Sequence, residues 1–181
     1  KGSEGFDLVV GAFGLLAVER GLGPLVSEAS GEVDRRVLAA LVFDEAHPER
    51  LEQLNGILWP IIKESIKREV RRLTTDGASV IAIEAAVLLE AEWADIMDEV
   101  WAVEVEEDIA LHRLLERSVK TGKPMTRGEA EKRINKQKRD GRFKWRSLDP
   151  RVSVALSNEG SLRDLQLEVS AACLRRLLPL P

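Results

Sequence analysis

Apolar residues recur at helical spacing over much of the chain, and the breaks in that rhythm divide it into short segments. Phe6, Val9, Val10 and Phe13 fall at i, i+3, i+4 and i+7, which predicts a helix with one buried face and a stop at Gly14. The Gly, Ser and Glu residues of 21–32 predict an exposed loop. Asp34 is placed to cap a second helix whose inner face is Val37, Leu38, Leu41 and Val42. A third helix opens at His47-Pro48, because proline is tolerated at the first helical position. Leu51, Leu54, Leu58, Ile62, Ile66, Val70 and Leu73 then keep one apolar face for about six turns. Pro60 removes a backbone donor inside that run, so a kink or break is expected at Trp59-Pro60. The opposite face, with Lys63, Glu64, Lys67, Arg68, Arg71 and Arg72, reads as solvated.

Beyond the Asp76-Gly77 turn the period changes. Residues 79–83 are a β-branched run ending at Glu84, 100–105 are a second run, and Val152, Val154 and Leu156 alternate in a third. Continuous apolar runs predict strands buried on both faces, as in a parallel sheet. The helical segments between them predict βαβ construction. Glu106, Glu107 and Asp108 favour the amino end of a helix over 107–119, which carries Arg113, Glu116 and Arg117. Thr121-Gly122-Lys123-Pro124 ends it, and Thr126-x-x-Glu129 is a capping box for the next. A basic run follows over 136–146. Ser161-x-x-Asp164 marks a last helix start, with Leu165, Val169, Ala172 and Leu177 as its inner stripe. The pattern predicts a three-layer α/β domain with a helical insertion near 107–145.

Composition narrows the class. A chain of 181 residues that is 44% hydrophobic has the size of one domain with a real core, and 4% aromatic content makes that core aliphatic. A net charge of -4, spread along the chain, speaks against nucleic-acid binding. No apolar run nears the ~20 residues that span a bilayer, and no signal-peptide pattern opens the chain. One cysteine, Cys173, excludes an internal disulfide and a multi-thiolate metal site, and it reads as packing. His47 reads as a helix-start residue and His112 as a residue on an exposed helix face. The expected setting is soluble and intracellular.

Several stretches, in chain order, resemble one family. Val9-Val10-Gly11-Ala12-Phe13-Gly14 is similar to the helix after its Asp-x-Asp segment. Gly31-Glu32-Val33-Asp34-Arg35-Arg36-Val37-Leu38 with Leu41-Val42-Phe43 resembles a second signature. Leu51, Leu54-Asn55, Ile57 and Trp59-Pro60-Ile61-Ile62 follow, where most bacterial members have His-Pro. Residues 83–93, Ile-Glu-Ala-Ala-Val-Leu-Leu-Glu-Ala-Glu-Trp, are the sharpest match, with Glu84 in place of an aspartate, and Glu99-Val100-Trp101-Ala102-Val103 continues it. Arg113-x-x-x-Arg117 and Ala130-x-x-Arg133-Ile134-x-x-Gln137 echo a lid, and Leu156-Ser157-Asn158-Glu159-Gly160-Ser161 resembles the family's closing loop. The family is dephospho-coenzyme A kinase. Trp59 and the 85–93 stretch look like its eukaryotic-type members, in which the domain can be fused to a phosphopantetheine adenylyltransferase.

That resemblance implies a P-loop kinase-like parallel sheet with a helical substrate-side region over 21–74 and a lid over 107–145. It implies transfer of ATP's γ-phosphoryl group to the 3′-hydroxyl of dephospho-CoA, with Mg²⁺ accompanying ATP. It makes Arg117 the lid arginine, with Asn158 and Gly160 beside the ATP base. Arg35, Leu88, Leu89 and Glu90 fall to the substrate, and Glu84 to Mg²⁺ through water. Arg133 matches a family arginine, Arg113 reads as a solvated helix residue, and Ser118 departs from the usual aspartate. Cytoplasmic action is implied, with mitochondrial association possible in a eukaryote. No Gly-x-x-x-x-Gly-Lys-(Ser/Thr) loop occurs in the chain. Lys1 would follow the Asp-x-Asp segment, so the fold is expected to be incomplete at the amino end and the 181 residues inactive alone. Another small P-loop nucleotide or nucleoside kinase, or a non-catalytic interaction module, is the alternative.

Overall fold

The computed structural model describes residues 3–139 and 149–177, with the side chains of 136–139 and 177 excepted. The chain forms two compact units, Lys1–Trp93 and Ala94–Pro181.

The first unit is helical. Helix α1 spans Glu4–Glu19, opened by the Ser3 hydroxyl accepting from the Phe6 amide at 3.3 Å. It runs through Gly14 rather than ending there. A glycine costs a helix interior about 1 kcal/mol, and the apolar face continues past it: Val9, Phe13 and Ala17 are all buried, at i, i+4 and i+8. The stop lies at Gly21, whose φ of 70° suits a residue without a Cβ. Helix α2 spans Arg35–Val42, and helix α3 spans Glu49–Thr75. Asp34 caps α2 as expected, accepting from the amides of Arg36 at 2.8 Å and Val37 at 3.4 Å. These bonds, the one from Arg36 first, hold its carboxyl below the usual aspartate range.

Val9, Phe13, Ala17, Leu41 and Val42 form the core of this unit, with Val37, Leu38, Leu51, Leu54 and Leu58 packed around it. Leu25 joins them at 2% exposure, although its stretch reads as an exposed loop. An antiparallel bridge between Val26 and Val33 draws the loop closed, and the Asp34 amide donates to the Leu25 carbonyl at 2.8 Å. Pro48 stands one residue before α3, and α3 is not broken at Pro60. Leu58 and Ile61, on either side of that proline, both approach Gly5 of α1: a Cβ there would lie 3.6 Å from each side chain. Packing thus fixes both flanks of the missing backbone bond. The charged face of α3 is occupied by intrahelical pairs, Lys67–Glu64 at 2.7 Å and Arg72 with Glu69 at 2.6 Å and Asp76 at 2.7 Å. Exposed pairs of this kind contribute little.

Residues 79–83 do not form the predicted strand. Their β-branched character favours extension, but a strand needs a neighbour to complete its backbone bonds. Among the described residues no ladder includes them, and Val80 is 67% exposed.

In the second unit, strands β1, Trp101–Glu104, and β2, Val154–Ser157, pair in parallel from Trp101↔Val154 to Glu104↔Ser157. Both are shorter than predicted. Neither face is covered throughout: Ala102 and Leu156, on opposite faces by this register, are buried, while Val103 beside Leu156 is 54% exposed. Helices α4, Glu107–Lys120, α5, Arg127–Arg139, and α6, Leu162–Leu177, complete the unit. Leu111, Ala130 and Ile134 pack α4 against α5. The Thr126–Glu129 capping box forms reciprocally: the Thr126 amide donates to Glu129 Oε2 at 2.7 Å and the Glu129 amide to Thr126 Oγ1 at 3.3 Å.

A turn of Asp149, Pro150 and Arg151 leads into β2. The Arg151 guanidinium donates to both carboxylate oxygens of Asp149, at 2.8 and 2.6 Å, and its amide donates to Oδ1 at 2.9 Å. The side-chain bonds, then the amide, lower the Asp149 pKa from 3.8 to about 2. A depressed folded-state value stabilises the fold above the unfolded pKa, and that contribution is lost as pH falls through about 2. Carboxyl-carbon NMR should give an Asp149 midpoint near 2 in the parent chain and a midpoint moved towards 3.8 in Arg151→Ala. An unchanged midpoint in the variant would contradict the assignment of the shift to the guanidinium.

Candidate active site

In the second unit, α4 and the loop after β2 carry the polar groups with chemical potential. Arg117 lies exposed near the end of α4, and among the described residues its guanidinium has no ion-pair or hydrogen-bond partner. Glu116, its neighbour in the chain, pairs with His112 at 3.3 Å. Ser118, where the resemblance expects aspartate, is buried. Its hydroxyl donates to the Leu115 carbonyl at 2.7 Å and accepts from the Met125 amide at 3.2 Å, fastening the end of α4 to the turn before α5. Arg133 is exposed on α5. The basic run lies outside the described residues, apart from the backbone of 136–139 in α5.

The loop between β2 and α6 is tightly determined. The Asn158 amide donates to the Glu104 carbonyl at 2.7 Å, extending the parallel ladder by one bond. Arg113 is not solvated as its helical position suggests; it is half-buried. Its Nη1 donates to the Asn158 carbonyl at 2.6 Å and its Nη2 to the Gly160 carbonyl at 2.8 Å, with Glu159 O at 3.5 Å. Gly160 is required by close approach, since a Cβ there would stand 2.6 Å from Asp164 Oδ2. That oxygen cannot retreat freely, because it accepts from the Ser161 hydroxyl at 2.6 Å and the Ser161 amide at 2.7 Å. The hydroxyl first, then the amide, holds the Asp164 carboxyl below its ordinary range.

In the first unit, Arg35 is exposed at the first position of α2. It does not brace Asp34; Arg36 does, at 3.5 Å. Leu88, Leu89 and Glu90 come together, partly buried, in a run of turns over 86–92. The Ala91 amide donates to Val87 O at 2.8 Å and the Trp93 amide to Leu88 O at 3.0 Å. Lys63 of α3 donates to the Glu92 carbonyl at 3.2 Å, where Glu92 holds a positive φ of 56°. Sequence reasoning placed Lys63 only on a solvated face; the tether depends on a carbonyl 29 residues away, which periodicity cannot show. Glu84 is exposed. Among the described residues no group of three His, Cys, Asp or Glu could hold a metal, so Glu84 is a lone carboxylate there. Its carboxylate is a hard oxygen donor, the ligand type that Mg²⁺ takes. No helix of the described residues is long and apolar enough to cross a membrane.

The fold is α/β with a parallel pair of strands, similar to that of a solved dephospho-CoA kinase from Campylobacter jejuni, which matches 94% of this chain and 82% of its own with a TM-score of 0.53 at 16% identity. The chain belongs to the dephospho-CoA kinase family, whose model matches residues 8–164. Curated relatives with the name dephospho-CoA kinase include one from Dehalococcoides mccartyi, 31% identical over 86% of this chain and 72% of its own. Those from Symbiobacterium thermophilum and Staphylococcus haemolyticus are 31% and 35% identical over 86% and 65% of this chain. The chain spans 60% and 52% of the length of these two relatives.

Proposed function

We propose that this chain supplies the lid, base-side loop and acceptor-side elements of an enzyme that phosphorylates the 3′-hydroxyl of dephospho-CoA from ATP, giving CoA and ADP. The observation that carries the reading is the family match over residues 8–164, which takes in both units. The complete catalytic domain is read as a three-layer P-loop kinase fold, and Trp59 with 85–93 supports a eukaryotic-type variant; action in the cytoplasm is what the family reading implies.

In the transfer, the ribose 3′-oxygen bonds to the γ-phosphorus, the bond to the β-γ bridging oxygen breaks, and the hydroxyl proton passes to a base. Such a reaction asks mainly for positioning and for charge stabilisation. Arg117 suits the second role, because a guanidinium fork matches the oxygens of the transferring group. Arg35 offers a cation to the diphosphate of the acceptor, and 88–90 a partly apolar wall to its pantetheine arm. Asn158 and Gly160 lie beside the adenine of ATP. Glu84 would hold, through water, the Mg²⁺ that accompanies ATP, and the ion would supply shielding of the phosphate charge.

The 181 residues hold no phosphate-binding loop of the Gly-Lys-(Ser/Thr) kind. The expected result is therefore ADP formation with dephospho-CoA by the full-length natural protein and none by residues 1–181 alone. A coupled ADP assay on both, with nucleoside monophosphates as competing acceptors, checks this. Turnover by the 181 residues alone, or a preference for a nucleoside monophosphate, would overturn the reading.

A further inference from the structure

We infer that Lys63 is a positioning residue for the acceptor, acting through the peptide between Glu92 and Trp93 to set the turn that presents Leu88, Leu89 and Glu90. This rests on the reading of 88–90 as a wall of the acceptor site. The hydrogen bonds of the turn are those of a closed helix end. The Ala91 amide donates to Val87 O at 2.8 Å, the Glu92 amide to Leu89 O at 3.2 Å and the Trp93 amide to Leu88 O at 3.0 Å. Bonds from two successive amides to carbonyls three and five positions back, with the earlier residue left-handed, make a Schellman motif. That earlier residue is Glu92, with a φ of 56°. Leu88, Leu89 and Glu90 fill the last three helical positions before the cap, so their directions depend on the motif staying closed.

Two features make this closure weak on its own. A single turn precedes it, so no longer ladder of backbone bonds supports it. The left-handed position favours glycine, and among the described residues Glu92 is the one non-glycine with a positive φ. Lys63 offsets both from outside the turn. Its ammonium donates to the Glu92 carbonyl at 3.2 Å, from a helix whose Leu58 and Ile61 approach Gly5 of α1. That carbonyl and the Trp93 amide belong to one planar peptide. The plane is therefore held at both ends, and turning Glu92 out of the left-handed region would break both bonds together. Trp93, only 4% exposed, anchors the chain beyond it.

Lys63→Met keeps the aliphatic stem and removes the donor. In the full-length natural protein it should raise KM for dephospho-CoA by about tenfold, because the closed turn is populated less by that factor. Both kcat and KM for ATP should stay within about twofold of the parent. Hydrogen exchange at the Trp93 amide should quicken by about tenfold. Adding Glu92→Gly, which takes the left-handed conformation unaided, should bring KM and exchange back to within about threefold of the parent. Glycine at 92 could not replace a cation that touched the acceptor itself, so a KM still raised in the double variant would overturn the proposal. So would an unchanged KM or an unchanged Trp93 exchange in Lys63→Met. Should Lys63→Met not fold, Glu92→Val, whose β-branched side chain opposes a positive φ, must raise the same KM, and a parent-like value would equally overturn the proposal. Failure of the acceptor reading looks different: the parent itself then turns over no dephospho-CoA, and exchange at Trp93 alone decides whether Lys63 holds the turn.

Discussion

Arg117→Ala in the full-length natural protein is expected to lower kcat for dephospho-CoA phosphorylation by about a thousandfold, with KM for either substrate changed by less than about fivefold. The size follows from where the charge is needed. Negative charge spreads over the oxygens of the transferring group only at the transition state, so a cation aimed there acts on kcat rather than on ground-state binding. Arg117 is available to meet that charge, because it is exposed and no carboxylate among the described residues holds it. The buried Ser118 hydroxyl, bonded to Leu115 O and the Met125 amide, keeps the last turn of α4 in register and so helps aim its neighbour. Arg117→Lys should recover little, because an ammonium lacks the planar fork. Steady-state kinetics with both substrates varied checks this; a kcat within tenfold of the parent would remove Arg117 from the chemistry.

The largest stability effect is expected at Arg50. Its side chain is 9% exposed, and Nη1 reaches Asp44 Oδ2 at 3.3 Å and the Leu41 carbonyl at 3.5 Å. One guanidinium thus joins the end of α2 to the start of α3, beside the core of Phe13, Leu41 and Val42. Arg50→Ala strips Asp44 and the Leu41 carbonyl of their partner and leaves a cavity where the aliphatic stem lay. Breaking a buried pair from one side costs about 3–5 kcal/mol, and the half-exposed Asp44 puts the expectation at the lower end, about 3 kcal/mol. For a chain of this length that is a fall in melting temperature of about 10 °C. Arg50→Met, which refills the volume but not the hydrogen bonds, should fall between. Thermal unfolding followed by circular dichroism decides it; a shift under about 2 °C for Arg50→Ala would show that water replaces the guanidinium without loss.

What could be read from the residues alone was whatever is settled locally. Asp34, Thr126–Glu129 and Ser161–Asp164 cap helices through bonds to amides two or three residues away, so their chemistry is written in adjacent positions. The apolar faces of α2 and of the first half of α3 were legible for the same reason. Residues 79–83 were misread because a strand is a property of two segments, and the second cannot be inferred from the first. Leu25 carries no period, so its burial beneath the Val26–Val33 bridge left no trace in the pattern. Arg113 looked like any helix-surface cation, and its partners stand 45 and 47 residues further on. Arg117 and Arg35 are exposed, and their assignment came from resemblance rather than from periodicity.

The phosphorylated position on the acceptor is the most direct measure of the proposed activity. With full-length natural protein, dephospho-CoA and ATP–Mg²⁺, ³¹P NMR and mass spectrometry of the product should show a new monoester on the ribose 3′-oxygen, with one ADP formed per CoA. An acceptor recovered unchanged, or carrying its new phosphate on any other atom, would contradict the account.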